Sequence, residues 1–455
     1  MQNSLTTGSV WKPVIRFSQP FILSYFLQTL YGLADLYIIG RFCMVESTTA
    51  VSIGSQVMHM LTVVIVGLSM GSVVVIGQAV GADDKKKASL SIGNTVFLFM
   101  TLSVVLTVLL HLLVNPIIAV MSTPEAAVPG TADYLRICFL GVPFITAYNI
   151  ISSIFRGTGD SKSPMYFVAV ACAVNIALDY LFIGYFGMDA AGAALGTTLS
   201  QTFSVVLALI VICRKKQFHL TKSDFRPQAN MMKKILKIGL PVALQDGFIQ
   251  VSFIVVTIFA NLRGLQDAAA VGIVEKIVSL LFLVPSSMLQ TVSTMAAQNI
   301  GAGKFDRVQK ILKDCCLIAV AWGLFAVLLM HFESGAIIGR FTKDAVTVTM
   351  GRQYMESYVW DCVFAGIHFC FSGYFCAFGL SGLPFLYNGV SIVLIRIPFS
   401  YLAAKHFPDS LFPMGLVNSA GSLLSVAVCL TAYGILRKKK RIRPFGIKEK
   451  EEKNR

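Results

Sequence analysis

Apolar residues run along this chain in long blocks separated by short polar stretches, with neither the alternation of a half-buried strand nor the stripe of a surface helix. A helix needs about 20 residues to cross a hydrocarbon core about 30 Å thick. Single strands of that length would leave backbone groups unpaired in lipid, so helices are the expected form. The blocks at 14–40, 51–79, 90–114, 132–154, 164–186, 190–212, 239–262, 270–296, 311–331, 353–378, 384–405 and 411–435 predict twelve transmembrane helices. Met1–Ser9 is polar, and Lys12 and Arg16 lead straight into the first block, so no signal peptide is expected. The stretch 214–237 is basic and carries no apolar run. The chain is therefore expected to divide into a first six-helix lobe at 1–213, a basic linker at 214–237, a second lobe at 238–436 and a basic tail at 437–455.

Composition agrees with a membrane protein. A chain of 455 residues that is 55% hydrophobic and 13% charged, with mean hydropathy +0.72, is not a soluble globule. The net charge of +15 is placed asymmetrically. Lys and Arg crowd the segments before helix 1, at Lys85–Lys87, from Arg214 to Lys237, from Lys304 to Lys313 and after Arg437. The alternate loops hold only Arg41, Arg263, Arg340, Lys343, Arg352 and Lys405. By the positive-inside rule, both termini are cytoplasmic. The charge thus needs no nucleic-acid partner, and the tail is expected to lie against anionic lipid of a cell membrane. The ten cysteines fall mostly inside the blocks without a CxxC pair, as packing residues do. HExxH and P-loop patterns are absent, and the one Asp-Asp pair, Asp83-Asp84, is followed by lysines. No enzyme, ATP-driven pump, cofactor or metal centre is expected.

The halves repeat one another. Gln78 and Gln298 lie 220 positions apart, and the same spacing pairs Ala50 with Ala270, Gly81 with Gly301, Tyr134 with Tyr354, Gly159 with Gly379 and Pro164 with Pro384. Pro20 and Pro241 fall one residue off this register. Six spans per half bring both copies in from the same side, which predicts a pseudo-two-fold axis along the membrane normal and alternating access around a central cavity.

The candidate chemistry breaks the repeat. Asn175 and Asp179, four apart, share one face of the fifth helix, while their repeat equivalents are Ile395 and Phe399. Gln28, Tyr31 and Asp35 share a face of the first helix, and Asp35 stands as far past Pro20 as Asp179 does past Pro164. Thr197 reaches about 12 Å down the sixth helix from Asp189. Asp35, Asn175, Asp179 and Thr197 are expected to form one oxygen-rich pocket. Two carboxylates in a low dielectric need a proton or a cation between them, and a hard cation such as Na⁺ takes oxygen ligands. The charged residues of the second half, Asp246, Glu275, Lys276, Asp361 and Arg396, read either as internal pairs, Arg396 with Glu275 or Asp361, or as a substrate-contacting patch.

The order and spacing of several motifs resemble the multidrug and toxic compound extrusion (MATE) family over all twelve spans. They include Pro20…Asp35…Gly40, GLSMGSVVVIGQAVGA at 67–82, YLRICFLGVPF at 134–144, FRGTGDSKSPM at 155–165, NIALDYLFI at 175–183, AAGAALGTT at 190–198 and AAQNIGAGKFDR at 296–307. The resemblance implies an all-α, V-shaped pair of six-helix lobes that exports amphipathic, cationic organic compounds against inward flow of Na⁺ or H⁺. It implies an ion site at Asp35, Asn175, Asp179 and Thr197, with Gln28 and Tyr31 lining the same lobe. Family members carry a Glu in helix 7 where this chain has Gln250, and Asp361 lies about one turn from their helix-10 Asp. Coupling is therefore expected in the first lobe, with H⁺ ahead of Na⁺, and Gln250, Glu275, Asp361 and Arg396 remain candidates for substrate contact. The alternative within the same superfamily is a flippase for lipid-linked oligosaccharides, whose diphosphate would call for several cavity Arg or Lys. The expected partners are small organic substrates and membrane lipid, and the expected state is a monomeric bacterial protein.

Overall fold

The computed structural model describes residues 5–215 and 220–438. The part of the expected linker at 216–219 and the part of the expected tail at 439–455 lie outside the described residues. Among those described there is no strand. The helices are α1 (Trp11–Phe42), α2 (Val45–Gly81), α3 (Lys85–Leu112), α4 (Val114–Val120), α5 (Val128–Leu140), α6 (Val142–Gly157), α7 (Lys162–Asp179) and α8 (Asp189–Lys215). They continue with α9 (Ala229–Arg263), α10 (Leu265–Leu281), α11 (Leu283–Gly301), α12 (Phe305–Ile338), α13 (Ala345–Tyr358), α14 (Asp361–Ala377), α15 (Gly382–Ser391), α16 (Ile397–His406) and α17 (Phe412–Lys438). Among the described residues, ten helices are long and apolar enough to cross a membrane, and up to twelve spans result if each of two bent pairs counts as one. The pairs are Glu125–Leu140 with Val142–Gly157, bent by 49°, and α13 with α14, bent by 40°. They correspond to the expected spans 132–154 and 353–378.

The breaks have local causes. Pro143 has no N–H and crowds the preceding turn, so the helix gives way at Gly141. A carbonyl released in this way at membrane depth must find another donor. Pro285 denies a partner to the carbonyl of Leu281, four residues back, and Trp322 Nε1 donates to it at 2.8 Å. Pro241 does the same to Lys237, whose carbonyl accepts from Ser381 Oγ at 3.3 Å. Short π-helical turns follow α7, at Tyr180–Tyr185, and α15, at Ile392–Arg396.

The chain forms two compact units, one of Leu23–Leu236, the other of Met1–Ile22 with Lys237–Arg455. In the first unit, a buried cluster runs from Ile38, Ile39 and Val51 through Tyr134, Leu135 and Cys138 to Ala193 and Ala194. Lipid is as apolar as leucine, so close contact between small residues holds such helices together rather than a hydrophobic force. The linker residues 221–236 belong to this unit. Asn94 of α3 donates to the carbonyls of Asp224 and Arg226, both at 3.3 Å, and accepts from the Gln228 N–H at 2.7 Å.

The second unit includes the start of the chain. The Leu5 carbonyl accepts from Asn299 Nδ2 at 3.1 Å, that of Thr6 from Lys304 Nζ at 2.9 Å and that of Thr7 from Arg307 Nη2 at 3.3 Å. These bonds tie residues 5–7 to the turn between α11 and α12. Its buried cluster spans Val271, Val274, Tyr354, Tyr358 and Met414. Glycines again allow contact: a Cβ on Gly323 of α12 would lie 2.8 Å from Val363 Cα of α14.

Candidate functional site

In the first unit, the polar residues of four helices converge. Asp179 is the last residue of α7 before the π turn and is 0% exposed, and Asn175, one turn earlier, is 1% exposed. Asp35 of α1 is half-buried, and its carboxylate faces that of Asp179 within hydrogen-bonding reach. Ionised carboxylates only accept, so a hydrogen bond between the two needs a proton on one of them. Asp35 Oδ1, both carboxylate oxygens of Asp179 and both side-chain polar atoms of Asn175 are buried without a protein partner. A buried polar atom without a partner is costly, and two facing carboxylates more so. What this arrangement lacks is positive charge.

Neighbouring helices shape it. Gly196 of α8 packs against Asp179, and a Cβ there would collide with Asp179 Oδ1. Tyr31 stands beside Asp35 and close to Asp179, and Tyr134 of α5 lies near Asp35 and Tyr31. Of the sequence-derived set, Asp35, Asp179 and Tyr31 are brought together, and Asn175 is buried on the same helix as Asp179. Thr197 is half-buried, and its hydroxyl makes none of the hydrogen bonds among the described residues. The hydroxyl of the next residue, Thr198, is buried without a partner and lies beside Cys138 and over Gly141, where a Cβ would come within 2.8 Å of it. Gln28 is exposed on α1.

Sequence reasoning missed Tyr134, Cys138, Thr198 and Gln201, whose Oε1 is also buried without a partner. Tyr134 and Cys138 are four apart on a helix, a spacing that marks one face. That spacing was the signal available.

In the second unit, two of the five charged residues, Arg396 and Asp361, form an internal pair. Arg396, at the end of the second π turn, pairs with Asp361, with Nη2 at 3.5 Å from Oδ2, and donates to Ser422 Oγ at 2.9 Å. Glu275 is half-buried with Oε1 unpartnered. It lies near Tyr354, whose hydroxyl accepts from Asn418 Nδ2 at 3.0 Å. Lys276 is exposed. Gln250 is half-buried and joins none of the cluster's described hydrogen bonds.

Among the described residues no group of three or more His, Cys, Asp or Glu could hold a metal ion. A GxSxG spelling does occur, at 67–71, but it lies inside α2, with Ser69 Oγ donating to the Val66 carbonyl at 2.8 Å. A nucleophile of that kind needs a strand-to-helix elbow, and a mid-helix serine has none.

A family model described as MatE matches residues 20–181 and 241–402, once in each half. The chain is 28% identical over 443 residues to "Probable multidrug resistance protein YoeA" of Bacillus subtilis, covering 95% of this chain and 96% of that protein. It is 24% identical to "Multidrug export protein MepA" of Staphylococcus aureus, over 93% of this chain and 94% of that one. Its fold matches a solved structure described as an "outward-facing conformation of a multidrug resistance MATE family transporter of the MOP superfamily". That match has TM-score 0.88 and 22% identity, and covers 95% of this chain and 98% of that one.

Proposed function

From the premise that this chain belongs to the MatE family, and is a multi-pass membrane protein, we propose that it exports amphipathic organic cations by antiport with H⁺ or Na⁺ through Asp35 and Asp179. The observation that carries this reading is the facing carboxylate pair with no donor between its members. Like charges at about 4 Å repel by about 4 kcal/mol at an effective dielectric of 20. A proton or small cation entering the pair relieves that repulsion. An organic cation competes for the same negative field, so the two occupants alternate and one gradient drives the other. A proton suffices with two oxygens, whereas Na⁺ asks for several more ligands, which favours H⁺. Asn175 and Thr197 or Thr198 supply the remaining oxygens nearby. With basic loops facing the cytoplasm, both termini lie inside.

The rival reading, a flippase for lipid-linked oligosaccharides, requires free basic side chains to hold a diphosphate. Arg396 is engaged with Asp361 and Ser422, which favours the exporter.

Uptake of a fluorescent organic cation into everted vesicles tests the proposal, with a pH gradient and a Na⁺ gradient applied separately. One gradient should drive uptake, and Asp35→Asn and Asp179→Asn should each abolish it while the protein still inserts. Full uptake with neither gradient, or gradient-driven uptake in the double variant, refutes it.

A further inference from the structure

The second half of the chain holds a carboxylate as deeply buried as Asp179, yet with its positive charge already in place. Asp361 opens α14 at 1% exposure, and Arg396 reaches it at 9% exposure. The arginine is seated by a slot built for its stem. At Gly421 of α17, a Cβ would lie 2.9 Å from Arg396 Cγ and 3.1 Å from Nε. Ser391 Oγ, at 2.9 Å from the same point, donates to the Gly421 carbonyl at 2.6 Å and closes the slot's side. The π turn Ile392–Arg396 inserts one residue into the helical repeat, which re-aims the side chain at its end. Ser422 then fixes Nη2 from the next position of α17. Three elements thus converge on holding one guanidinium against one carboxylate.

The two halves solve the same electrostatic problem differently. In the first, the charge that balances Asp35 and Asp179 has to come from outside the chain. In the second, it is covalently part of the chain, and a tethered cation cannot be traded for another. We propose that Arg396 is a built-in counter-ion that occupies the site at Asp361, bars H⁺ and Na⁺ from it, and so confines ion exchange to one site per transport cycle. The location of that one site rests on the proposed coupling through Asp35 and Asp179, whereas the filling of Asp361 stands on its own geometry. Asp361 Oδ1 is buried without a partner and the Ser422 hydroxyl beside the carboxylate is neutral, so loss of the arginine leaves a carboxylate with no balancing charge that must recruit a proton or a cation. The other titratable groups facing the pair are Glu275 of α10, Tyr354 and Tyr358 of α13, and Cys362 and His368 of α14. Arg396 acts electrostatically on Tyr354, Tyr358 and His368, so only a gain that Asp361→Asn removes is assigned to Asp361.

The experiment counts ions on the full-length purified protein, as radioactive Na⁺ bound at pH 8 and as protons taken up between pH 8 and pH 5.5. Arg396→Gln should gain about one ion per protein over the native chain, and Arg396→Gln with Asp361→Asn should lose that gain. Arg396→Lys should match the native count. Asp361→Asn alone should also leave the native count unchanged, which keeps the proposal open to refutation if Arg396→Gln fails to fold. A folded Arg396→Gln without the gain overturns it. So does a gain that survives Asp361→Asn, or a native count that falls on Asp361→Asn alone. Repeating the series on an Asp35→Asn/Asp179→Asn background separates the two readings. If that background keeps the native count, the first-half coupling site is wrong, while the gain at Arg396→Gln still decides the counter-ion.

Discussion

Gly196→Ala probes the carboxylate pair without altering a charge. The added methyl would be built onto Asp179 Oδ1, with Asp179 Cγ at 3.3 Å and the backbone nitrogen at 3.6 Å. The backbone is at ordinary contact distance, so the carboxylate is the group that has to move. Overpacking of this kind costs about 1–3 kcal/mol, and replacing glycine by alanine within a helix returns about 1 kcal/mol. The net loss of about 0–2 kcal/mol leaves a chain that folds and inserts. The site is affected more than the fold. If the charges part from about 4 Å to about 6 Å, their repulsion at an effective dielectric of 20 falls from about 4 to about 3 kcal/mol. The coupling ion then relieves about 1.4 kcal/mol less, a tenfold weaker binding. Initial rates of organic-cation transport in proteoliposomes, measured against the concentration of the driving ion, should show half-saturation shifted at least tenfold. Gly32→Ala, on α1 three residues before Asp35 with nothing within 4 Å of its new Cβ, is the matched control and should behave as the native chain. Native half-saturation and rate in Gly196→Ala would refute the claim that the placement of Asp179 against Asp35 sets the affinity for the ion.

Two further outcomes test the scaffold. Trp322→Phe keeps an aromatic ring but removes the indole donor to the Leu281 carbonyl, leaving it only the weaker thiol of Cys362 at 3.6 Å, so thermal stability in detergent should fall by about 1 kcal/mol. An unchanged melting temperature would mean that the thiol alone satisfies that carbonyl. Asn94→Ala removes three hydrogen bonds that hold residues 224–228 to α3, and trypsin should then cut the folded protein faster at Lys222, visible as two fragments on a gel.

The spans were legible because length and apolarity alone decide which segments cross a membrane, and among the described residues ten helices pass on those grounds, the other two expected blocks being bent pairs. Asp35 and Asp179 were legible for the complementary reason: a carboxylate inside such a block is conspicuous. The choice between Thr197 and Thr198 was not. Adjacent residues on a helix point roughly 100° apart, so deciding which hydroxyl turns inward requires the rotation of α8 against α5, and that is set by the fit of Gly141 beneath Thr198. The attachment of residues 5–7 to the α11–α12 turn was equally hidden, because its acceptors are backbone carbonyls that every sequence possesses. The partner of Arg396 was left between Glu275 and Asp361 because both lie within a long side chain's reach. The π turn, which no residue pattern announces, decided for Asp361.

The duplicated architecture accounts for how one half could carry the proposed ion chemistry without the other. Each half breaks a span at the corresponding place, near Gly141 and near Trp360, and each has a π turn in the span that follows. Each also puts a tyrosine, Tyr134 or Tyr354, beside its charged groups. Breaks and π turns redirect side chains and free backbone groups, so they create polar positions at membrane depth whatever residue occupies them. The scaffold thus fixes where a charge can stand, and the side chain found there fixes whether its balance comes from the chain or from solution. With aspartates on both facing helices, the balance is left to an ion that can come and go. With an arginine locked beneath Gly421, it is permanent. A single charge-changing substitution at such a position is therefore enough to add or remove an exchange site without rebuilding a helix, which is why ion counting on Arg396→Gln is more decisive than any measure of overall transport.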